Sequence, residues 1–336
     1  MKRRILSLIL TVLLLTSVAG CGSPAPSAGA AGPKETYEST STLETEEAYL
    51  YPLDFVVDAI KGYIIAAGYY YDLNVLASKN AITAFVWEDG FRDAMPDSLD
   101  ENREDLLSLA EQMKESVDFS GYRNTTVSLR LMDDTNLKEP LLVIMDGEIV
   151  YDASEGGLGT DFPGPVIYTG FGDDVIEIAM LDSGCAFNVI GNNADRLFFV
   201  RGYDSNGDLT GLFVNATDPY KGITVDPYQE TVTMEIEGEG FWAIELLPLM
   251  SLETISVGET VTGTGDSLVR VLSFGKTATI TGNEDDHHLA IRSFGADRDS
   301  FLVTSVDPYE GTVVLEGHPV LLEIKTVGDW SITFDE

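Results

Sequence analysis

Three carboxylates in the second half of the chain have the residue type and the recurrence that a calcium site needs. Asp173 and Asp174 follow Gly172, and Asp266 follows Gly265, each at the end of a Gly-x-Gly-Asp phrase. Carboxylate oxygens are the ligands that Ca²⁺ prefers in proteins. A Gly-Asp turn at the start of a strand gives the same pattern for structural reasons alone, and that interpretation is favoured. Calcium is therefore the one candidate ion, and no other cofactor is predicted.

Two other polar stretches contain metal-binding residue types, but their spacing does not match that of known calcium or zinc sites. The stretch from Asp204 to Asp208 begins like a calcium loop, but its Gly is out of place and no Glu follows at the twelfth position. Its Asn-Gly pair between two strand patterns favours a hairpin. His287 and His288 follow an acidic run, yet neighbouring residues of a strand point to opposite faces. A solvated loop is favoured there over a zinc site.

The chain contains no recognisable catalytic motif. It lacks Gly-x-Ser-x-Gly, a phosphate-binding loop and a Cys with a plausible His partner. With 56 acidic residues, carboxylate pairs of the glycosidase type carry little information. We therefore predict a protein that is not an enzyme. The formal net charge of −36 repels phosphates and so excludes nucleic acid as a partner.

The first 21 residues resemble the leader of a bacterial lipoprotein. Three basic residues precede an apolar run over 5–15, and Val18-Ala19-Gly20-Cys21 resembles a lipobox. The resemblance implies a signal peptide over 1–20, a lipid on the sulfur of Cys21, and a chain held on the extracellular face of the cell membrane. An ordinary signal peptide with an incidental cysteine is the alternative. Residues 21–47 are rich in Gly, Ala, Pro, Ser, Thr and Glu, which predicts a flexible tether.

Residues 48–153 have the pattern of a small α+β domain. Helical spacing of apolar residues over 50–68 and again over 98–117 predicts two helices. Two alternating runs between the helices and three after them predict strands, and Asp146-Gly147 predicts a tight hairpin turn. The order α-β-β-α-β-β-β predicts an antiparallel sheet with the helices on one face.

Three segments of this domain carry a family resemblance. "FVWEDG" (85–90), "LRLMDDTN" (129–136) and "LLVIMDGEIVYD" (141–152) resemble a domain of secreted lipoproteins of Gram-positive bacteria. The resemblance implies the fold and the extracellular address, and it implies no known activity. Trp87 shares a strand face with Phe85, which favours a core position over an exposed ligand platform.

The remainder of the chain consists of two segments with similar sequence patterns. Segments 166–248 and 259–336 share four landmarks in the same order, at offsets that drift from 93 to 88 residues. The landmarks are Gly170-Phe-Gly-Asp173 with Gly263-Thr-Gly-Asp266, Gly191-Asn192 with Gly282-Asn283, Pro219-Tyr-Lys-Gly222 with Pro308-Tyr-Glu-Gly311, and Gly240-Phe-Trp242 with Gly328-Asp-Trp330. The shared order predicts a tandem duplication of a unit of about 80 residues.

Each copy consists of short alternating runs bounded by Gly, Asp or Pro, which predicts a β-sandwich. The pattern Gly-x-Gly-Asp, Pro-Tyr-x-Gly and Gly-x-Trp resembles a jelly-roll-like repeat of secreted bacterial and archaeal proteins, a module with no implied enzymatic role. The predicted organisation is a linker over 154–165, one sandwich over 166–249 and a second over 250–336. Trp242 and Trp330 are interpreted as core anchors and not as ligand-stacking rings.

These features together predict a mainly β, membrane-anchored extracellular protein that acts as a non-enzymatic binding or accessory protein. Its expected partners are the membrane, through the lipid, and a polysaccharide, a cell-wall component or a surface protein. An extracellular hydrolase of glycans or peptides and a purely structural spacer are the alternatives.

Overall fold

A computed structural model describes residues 49–68, 72–94, 97–155, 164–191, 196–283, 287–295 and 297–335. The predicted signal peptide 1–20, the lipidation site Cys21 and the tether 21–47 lie outside the described residues. In the described part of the chain, no helix combines the length and the apolar character that a bilayer crossing requires. The prediction of a mainly β protein whose N-terminal region contains the helices is confirmed.

The N-terminal elements form one five-stranded sheet with its helices, which we call the α+β unit. The helices are α1 (Leu53–Ala66), α2 (Phe91–Ala94) and α3 (Asp97–Phe119), and the strands are β1 (Asp72–Ala77), β2 (Ala81–Trp87), β3 (Thr126–Asp133), β4 (Asn136–Met145) and β5 (Glu148–Asp152). The strands lie in the order β1-β2-β3-β4-β5. Asp146 and Gly147 both have positive φ, at 47° and 85°, as the predicted hairpin turn between β4 and β5 requires.

The prediction of an antiparallel sheet is wrong at one pair of strands. β2 and β3 run parallel, with Ala81 opposite Thr126 and Val86 opposite Leu131. The 23 residues of α3 separate these strands and carry the chain back along the sheet, so β3 starts at the same edge as β2. The sheet is therefore mixed.

Both long helices pack on the same face of the sheet. α1 buries Val56, Ile60 and Ile64, and α3 buries Met113 and Val117 against a shared apolar core. The residues on the outer side of α1 remain exposed because the spacing of three and four residues turns only one stripe toward the sheet. The opposite face of the sheet contacts the part of the chain that follows β5.

The duplicated segment folds into two pairs of facing sheets, which we call the first and the second sandwich. The first contains β6 (Ile167–Phe171), β7 (Asp174–Glu177), β8 (Cys185–Gly191), β9 (Phe198–Tyr203), β10 (Leu209–Ala216), β11 (Tyr220–Thr224), β12 (Thr233–Glu237) and β13 (Phe241–Pro248). The second contains β14 (Glu253–Ile255), β15 (Thr260–Thr264), β16 (Ser267–Val271), β17 (Thr277–Gly282), β18 (Leu289–Gly295), β19 (Ser300–Ser305), β20 (Tyr309–Val314), β21 (Pro319–Lys325) and β22 (Asp329–Phe334).

The two sandwiches have the same strand order. The sheets of the first are β11-β8-β13-β6 and β10-β9-β12-β7. Those of the second are β20-β17-β22-β15 and β19-β18-β21-β16, with β14 added as a parallel strand beside β16. Each first-copy strand thus has a second-copy counterpart at the same place in the sheet.

The repeated tryptophans hold equivalent places in the two cores. Trp242 and Trp330 are both buried, and each indole N–H donates to the carbonyl of the second Gly in Gly-x-Gly-Asp, at 3.0 Å and 3.2 Å. The first Gly of each phrase lies against the ring. A methyl carbon at Gly170 would lie 2.7 Å from Cε2 of Trp242, and one at Gly263 would lie 2.8 Å from Cε2 of Trp330. The interpretation of both rings as core anchors is confirmed.

The Tyr-x-Gly phrases have an equally local cause. A methyl carbon on Gly222 would lie 2.7 Å from the hydroxyl of Tyr220, and one on Gly311 would lie 2.8 Å from the hydroxyl of Tyr309. In both copies the tyrosine ring therefore lies over the residue two positions later, which has to be glycine.

The sheet β11-β8-β13-β6 is covered on both faces. Its inner face belongs to the core of the first sandwich, and every residue of β8 is buried. Near one end of its outer face, Ile190, Phe241 and Ala243 pack on Phe85 and Trp87 of the α+β unit. The ring centroids of Trp87 and Phe241 are 4.7 Å apart, so Trp87 is a core residue, as expected.

Toward the other end of the same outer face, the second sandwich provides the cover. Ala186 and Leu247 pack with Leu268, Phe294 and Leu321. The α+β unit and the second sandwich thus share one sheet as their support.

Replacing Gly263 with Ala tests the contact between glycine and indole. The added methyl group would displace Trp330, and we expect a loss of about 1–3 kcal/mol in the free energy of unfolding. Gly62→Ala is the matched control, because Gly62 lies within α1 and nothing lies within 4 Å of its Cβ position. That change should stabilise by roughly 0.5–1 kcal/mol. Urea denaturation measures both, and equal effects of the two substitutions would contradict the proposed contact.

Candidate functional site

Asp173 has a structural role at a turn. Its Oδ1 accepts a hydrogen bond of 2.9 Å from the backbone N–H of Gly238, just before the last strand of the first sandwich. The neighbouring Asp174 forms an ion pair of 2.6 Å with Lys138 of the α+β unit. These two predicted calcium ligands therefore bind a backbone donor and a side-chain cation.

Asp266 makes the equivalent turn contact in the second sandwich. Its Oδ1 accepts a hydrogen bond of 2.9 Å from the N–H of Thr326, which lies at the same offset of 88 residues from Gly238 as the paired tryptophans. The recurrence of Asp in the two phrases is thus explained by one backbone hydrogen bond made twice.

Asp266 also joins the two sandwiches. Its Oδ2 accepts hydrogen bonds from the hydroxyl of Tyr220 at 2.9 Å and from Lys325 Nζ at 3.1 Å. Lys325 donates further to the Phe213 carbonyl and to Thr224 Oγ1 of the first sandwich, at 3.0 Å and 3.1 Å. The group therefore links side chains and backbone from both copies, and we call it the Asp266 joint.

Burial shifts the pKa of Tyr220 in the Asp266 joint and that of the nearby Glu323. Burial, together with the nearby Asp266 carboxylate, raises the pKa of Tyr220 well above its ordinary value. Burial also raises the pKa of Glu323, partly offset by Lys325. Tyr220 thus stays protonated and acts as a hydrogen-bond donor.

The predicted calcium ligands are distributed over separate contacts. In the described residues, no group of three or more His, Cys, Asp and Glu side chains is arranged to hold a metal ion. Calcium binding by Asp173, Asp174 and Asp266 stays a prediction, and each of the three has a partner within the protein.

The other two polar stretches behave as loops. Asp204 Oδ1 accepts from the backbone N–H groups of Asn206 and Asp208, both at 2.8 Å, and these bonds lower the pKa of Asp204. They close the turn between the paired strands β9 and β10, which confirms the hairpin. His287 and His288 are exposed, and the acidic residues directly before them lie outside the described residues.

A buried ionisable pair lies between the α+β unit and the first sandwich, and sequence reasoning missed it. Glu245 is on the outer face of β13 and is 2% exposed, while Arg130 of β3 is 4% exposed. Asn188 Nδ2 donates to Glu245 at 2.9 Å and to the carbonyl of Ala77 at 3.2 Å. Burial raises the pKa of Glu245 to about 7, against the attraction of Arg130, whose own pKa is lowered to about 10 by burial.

The second sandwich has an exposed face of hydroxyl groups that sequence reasoning also missed. It is the outer face of the sheet β15-β22-β17-β20, which we call the hydroxyl face. Its outward side chains are dominated by Thr260, Thr262, Thr264, Thr277, Thr279, Thr281, Thr312, Ser331 and Thr333. The signal in the sequence is Thr at every second position of "TVTGT" and "TATIT", which is how a strand with one polar face reads.

A groove of about 400 Å³ crosses the hydroxyl face. It is lined by Thr262, Gly263, Thr264, Thr281, Gly282, Asp329, Trp330 and Ser331. Gly263 and Gly282 lie opposite Trp330 on either side, and its ring points into the core. The floor of the groove is therefore backbone, and the walls are hydroxyl and carboxylate groups.

The counterpart of this face in the first sandwich is covered. Applying the landmark offsets, Thr281 corresponds to Ile190, Ser331 to Ala243, and Asp329 to Phe241. These first-copy residues are buried against the α+β unit. The same sheet face is thus apolar and occupied in one copy, and polar and open in the other.

Glu245→Gln tests the cost of the buried carboxyl group. Between about pH 4.5 and 7 the folded protein keeps the proton that the unfolded chain has lost, so the free energy of unfolding falls as the pH rises. A shift of this size is worth on the order of 3 kcal/mol. The variant should match the wild type at pH 5 and exceed its stability at pH 8.

Glu235→Gln is the control, because Glu235 lies on the outer sheet of the first sandwich beside Tyr203 and Arg201. Hydrogen bonds from both partners lower the pKa of Glu235, so this change should leave the fall in stability between pH 5 and 8 in place. Urea titrations at several pH values measure it. Parallel curves for Glu245→Gln and the wild type would contradict the buried-carboxyl account.

No family model matches the chain, and no curated protein matches it.

Proposed function

We propose that this chain is a lipid-anchored, extracellular, non-enzymatic binding protein whose ligand is a polysaccharide. The hydroxyl face of the second sandwich carries this proposal. It is open, it contains a groove, and its outward groups are those that hydrogen-bond to sugar hydroxyls.

The lining of the groove favours binding over hydrolysis. Asp329 is the one carboxylate among the lining residues. Glycosidases of the common types need two carboxyl groups that flank the scissile bond. Hydroxyl and backbone groups can hold a sugar without activating water, so recognition is the function that this groove supports best.

The proposed location is supported by the N-terminal sequence. A basic start, a short apolar run and the lipobox-like Val18-Ala19-Gly20-Cys21 fit a lipoprotein leader, and the polar stretch to residue 47 fits a tether. The resemblance of the α+β unit to a domain of secreted Gram-positive lipoproteins points the same way.

The proposed architecture is an α+β domain followed by a duplicated jelly-roll-like module. Two observations support the duplication: the common strand order of the two sandwiches, and the identical use of glycine beside Trp242 and Trp330. Antiparallel sandwiches of this kind recur as lectin domains, which is an analogy of fold and agrees with a binding role.

Binding without turnover is the expected behaviour of the whole protein. The lipoprotein, purified from membranes in detergent, should co-sediment with at least one insoluble polysaccharide in a panel of cellulose, chitin, xylan, mannan and peptidoglycan. It should release no soluble sugar during long incubation. Release of reducing ends would favour a hydrolase, and absence from every pellet would contradict the proposed function.

Cys21→Ala tests the anchor. Without the acceptor sulfur, the protein should leave the membrane fraction and incorporate no labelled palmitate. Cys185→Ala is the matched control, because Cys185 is the other cysteine of the chain and is fully buried in the first sandwich. The control protein should stay membrane-bound and labelled. A Cys21→Ala protein that keeps the label would overturn the assignment of the anchor.

A further inference from the structure

We infer that the hydroxyl face is the binding site itself and that its ligand is an uncharged polysaccharide chain lying across the four strands. This inference rests on the proposed function and adds to it the rows of side chains that the ligand contacts, the orientation of the ligand and the class of glycan.

The outward side chains form rows across the sheet because the strands are in register. The first row is Thr260, Thr333, Thr279 and Thr312, and the second is Thr262, Ser331, Thr281 and Glu310. Neighbouring strands lie about 4.8 Å apart, so each row of four spans about 14 Å. This strand spacing is comparable to the repeat of one sugar ring in an extended chain, so consecutive rings can meet consecutive side chains.

The side chains of the first row are ordered before any ligand binds. The hydroxyls of Thr260 and Thr333 share a hydrogen bond of 2.7 Å, and those of Thr279 and Thr312 share one of 3.3 Å. Threonine is branched at Cβ and has few side-chain rotamers to lose. A ligand therefore meets fixed donors and acceptors, which lowers the entropic cost of binding.

The charge of the face selects against anionic polymers. Its outward strand positions contain the carboxylates Glu310 and Asp329 and no Lys or Arg. A third carboxylate, Asp335 just after β22, accepts hydrogen bonds from the hydroxyls of Thr277 and Thr279. Phosphates and uronic acids would be repelled, and the net charge of −36 adds to that repulsion. Neutral sugar hydroxyls can donate to the same carboxylates.

The face also lacks what a protein partner needs. Stable protein interfaces are centred on large aromatic or aliphatic anchors. Val314, at the end of β20, is the one apolar side chain among the outward positions of these four strands.

An exposed sheet face of the first sandwich shows a different composition. On β9 and β12, Arg201 pairs with Glu235 and Glu237 across the strands. That face carries paired charges, whereas threonine and serine predominate on the hydroxyl face and its strand carboxylates Glu310 and Asp329 have no Lys or Arg beside them on these strands. Recognition of a neutral polyhydroxyl chain accounts for this difference.

The test uses the detergent-solubilised lipoprotein in native gels that contain a soluble polysaccharide. Hydroxyethyl cellulose, arabinoxylan and galactomannan are the neutral probes, and polygalacturonate is the anionic one. We expect retardation by at least one neutral probe and none by polygalacturonate.

Thr262→Val with Thr281→Val removes two hydroxyls from the groove wall and keeps the shape of the side chains. We expect it to raise the dissociation constant for the retarding polymer at least tenfold. Thr281→Lys, which blocks the groove, should abolish retardation. Thr304→Lys is the matched control, since Thr304 is exposed on β19 in the other sheet of the same sandwich, and it should bind as the wild type does. Melting temperatures establish that each variant is folded.

The outcomes separate the two proposals. If the wild type is retarded by a neutral polymer and the groove variants bind equally well, the site is wrong while the proposed function stands. If polygalacturonate alone causes retardation, the ligand class is wrong. If no polysaccharide is bound in gels or in pellets, both proposals fail.

Discussion

The structure depends on one sheet whose two central strands are buried on both faces. β8 and β13 of the sheet β11-β8-β13-β6 are almost wholly buried, with the core of their own sandwich on one side and two other parts of the molecule on the other. The α+β unit and the second sandwich both pack on the outer face of this sheet, which buries it and makes it the support for both. It also forces Glu245, on the outer side of β13, into an environment where its charge is costly, with Asn188 and Arg130 as compensation.

The two copies show which positions of the module are constrained and which are free. The glycines beside Trp242 and Trp330 cannot accept a side chain without moving the ring, and the turn aspartates bind a backbone N–H in both copies. Outward positions of the same strands carry no such constraint. One copy therefore presents Ile190 and Phe241 to a neighbouring unit, while the other presents threonine to solvent. The two sandwiches thus share their buried glycine, tryptophan and turn aspartate positions and differ in the outward side chains of the same strands.

How much the sequence predicts follows from the range of each interaction. The repeated Gly, Tyr and Trp residues act within a few residues or between paired strands, so their spacing predicted two β-sandwiches and buried rings. The parallel pairing of β2 and β3 depends on the path of α3, which a periodic pattern does not encode. Glu245 occupies a position that reads as solvent-facing in an alternating strand, and only the docking of the α+β unit buries it. The threonines of "TATIT" and "TVTGT" likewise read as ordinary exposed positions, because nothing local says that β22 lies between those strands.

The Asp266 joint connects two sandwiches of the same strand order. Both copies carry the turn aspartate, and in the second copy its remaining oxygen reaches Tyr220 and Lys325 at the boundary between sandwiches. Tyr220 is also the residue whose ring lies over Gly222. The Pro-Tyr-x-Gly phrase of the first copy therefore contacts the Gly-x-Gly-Asp phrase of the second. The contact holds one sandwich against the other without using the outer face of β15-β22-β17-β20. The hydroxyl face stays open because the second sandwich contacts the first through the Asp266 joint and through its other sheet, at Leu268, Phe294 and Leu321. The first-copy counterpart is closed because the α+β unit and the second sandwich both pack on it.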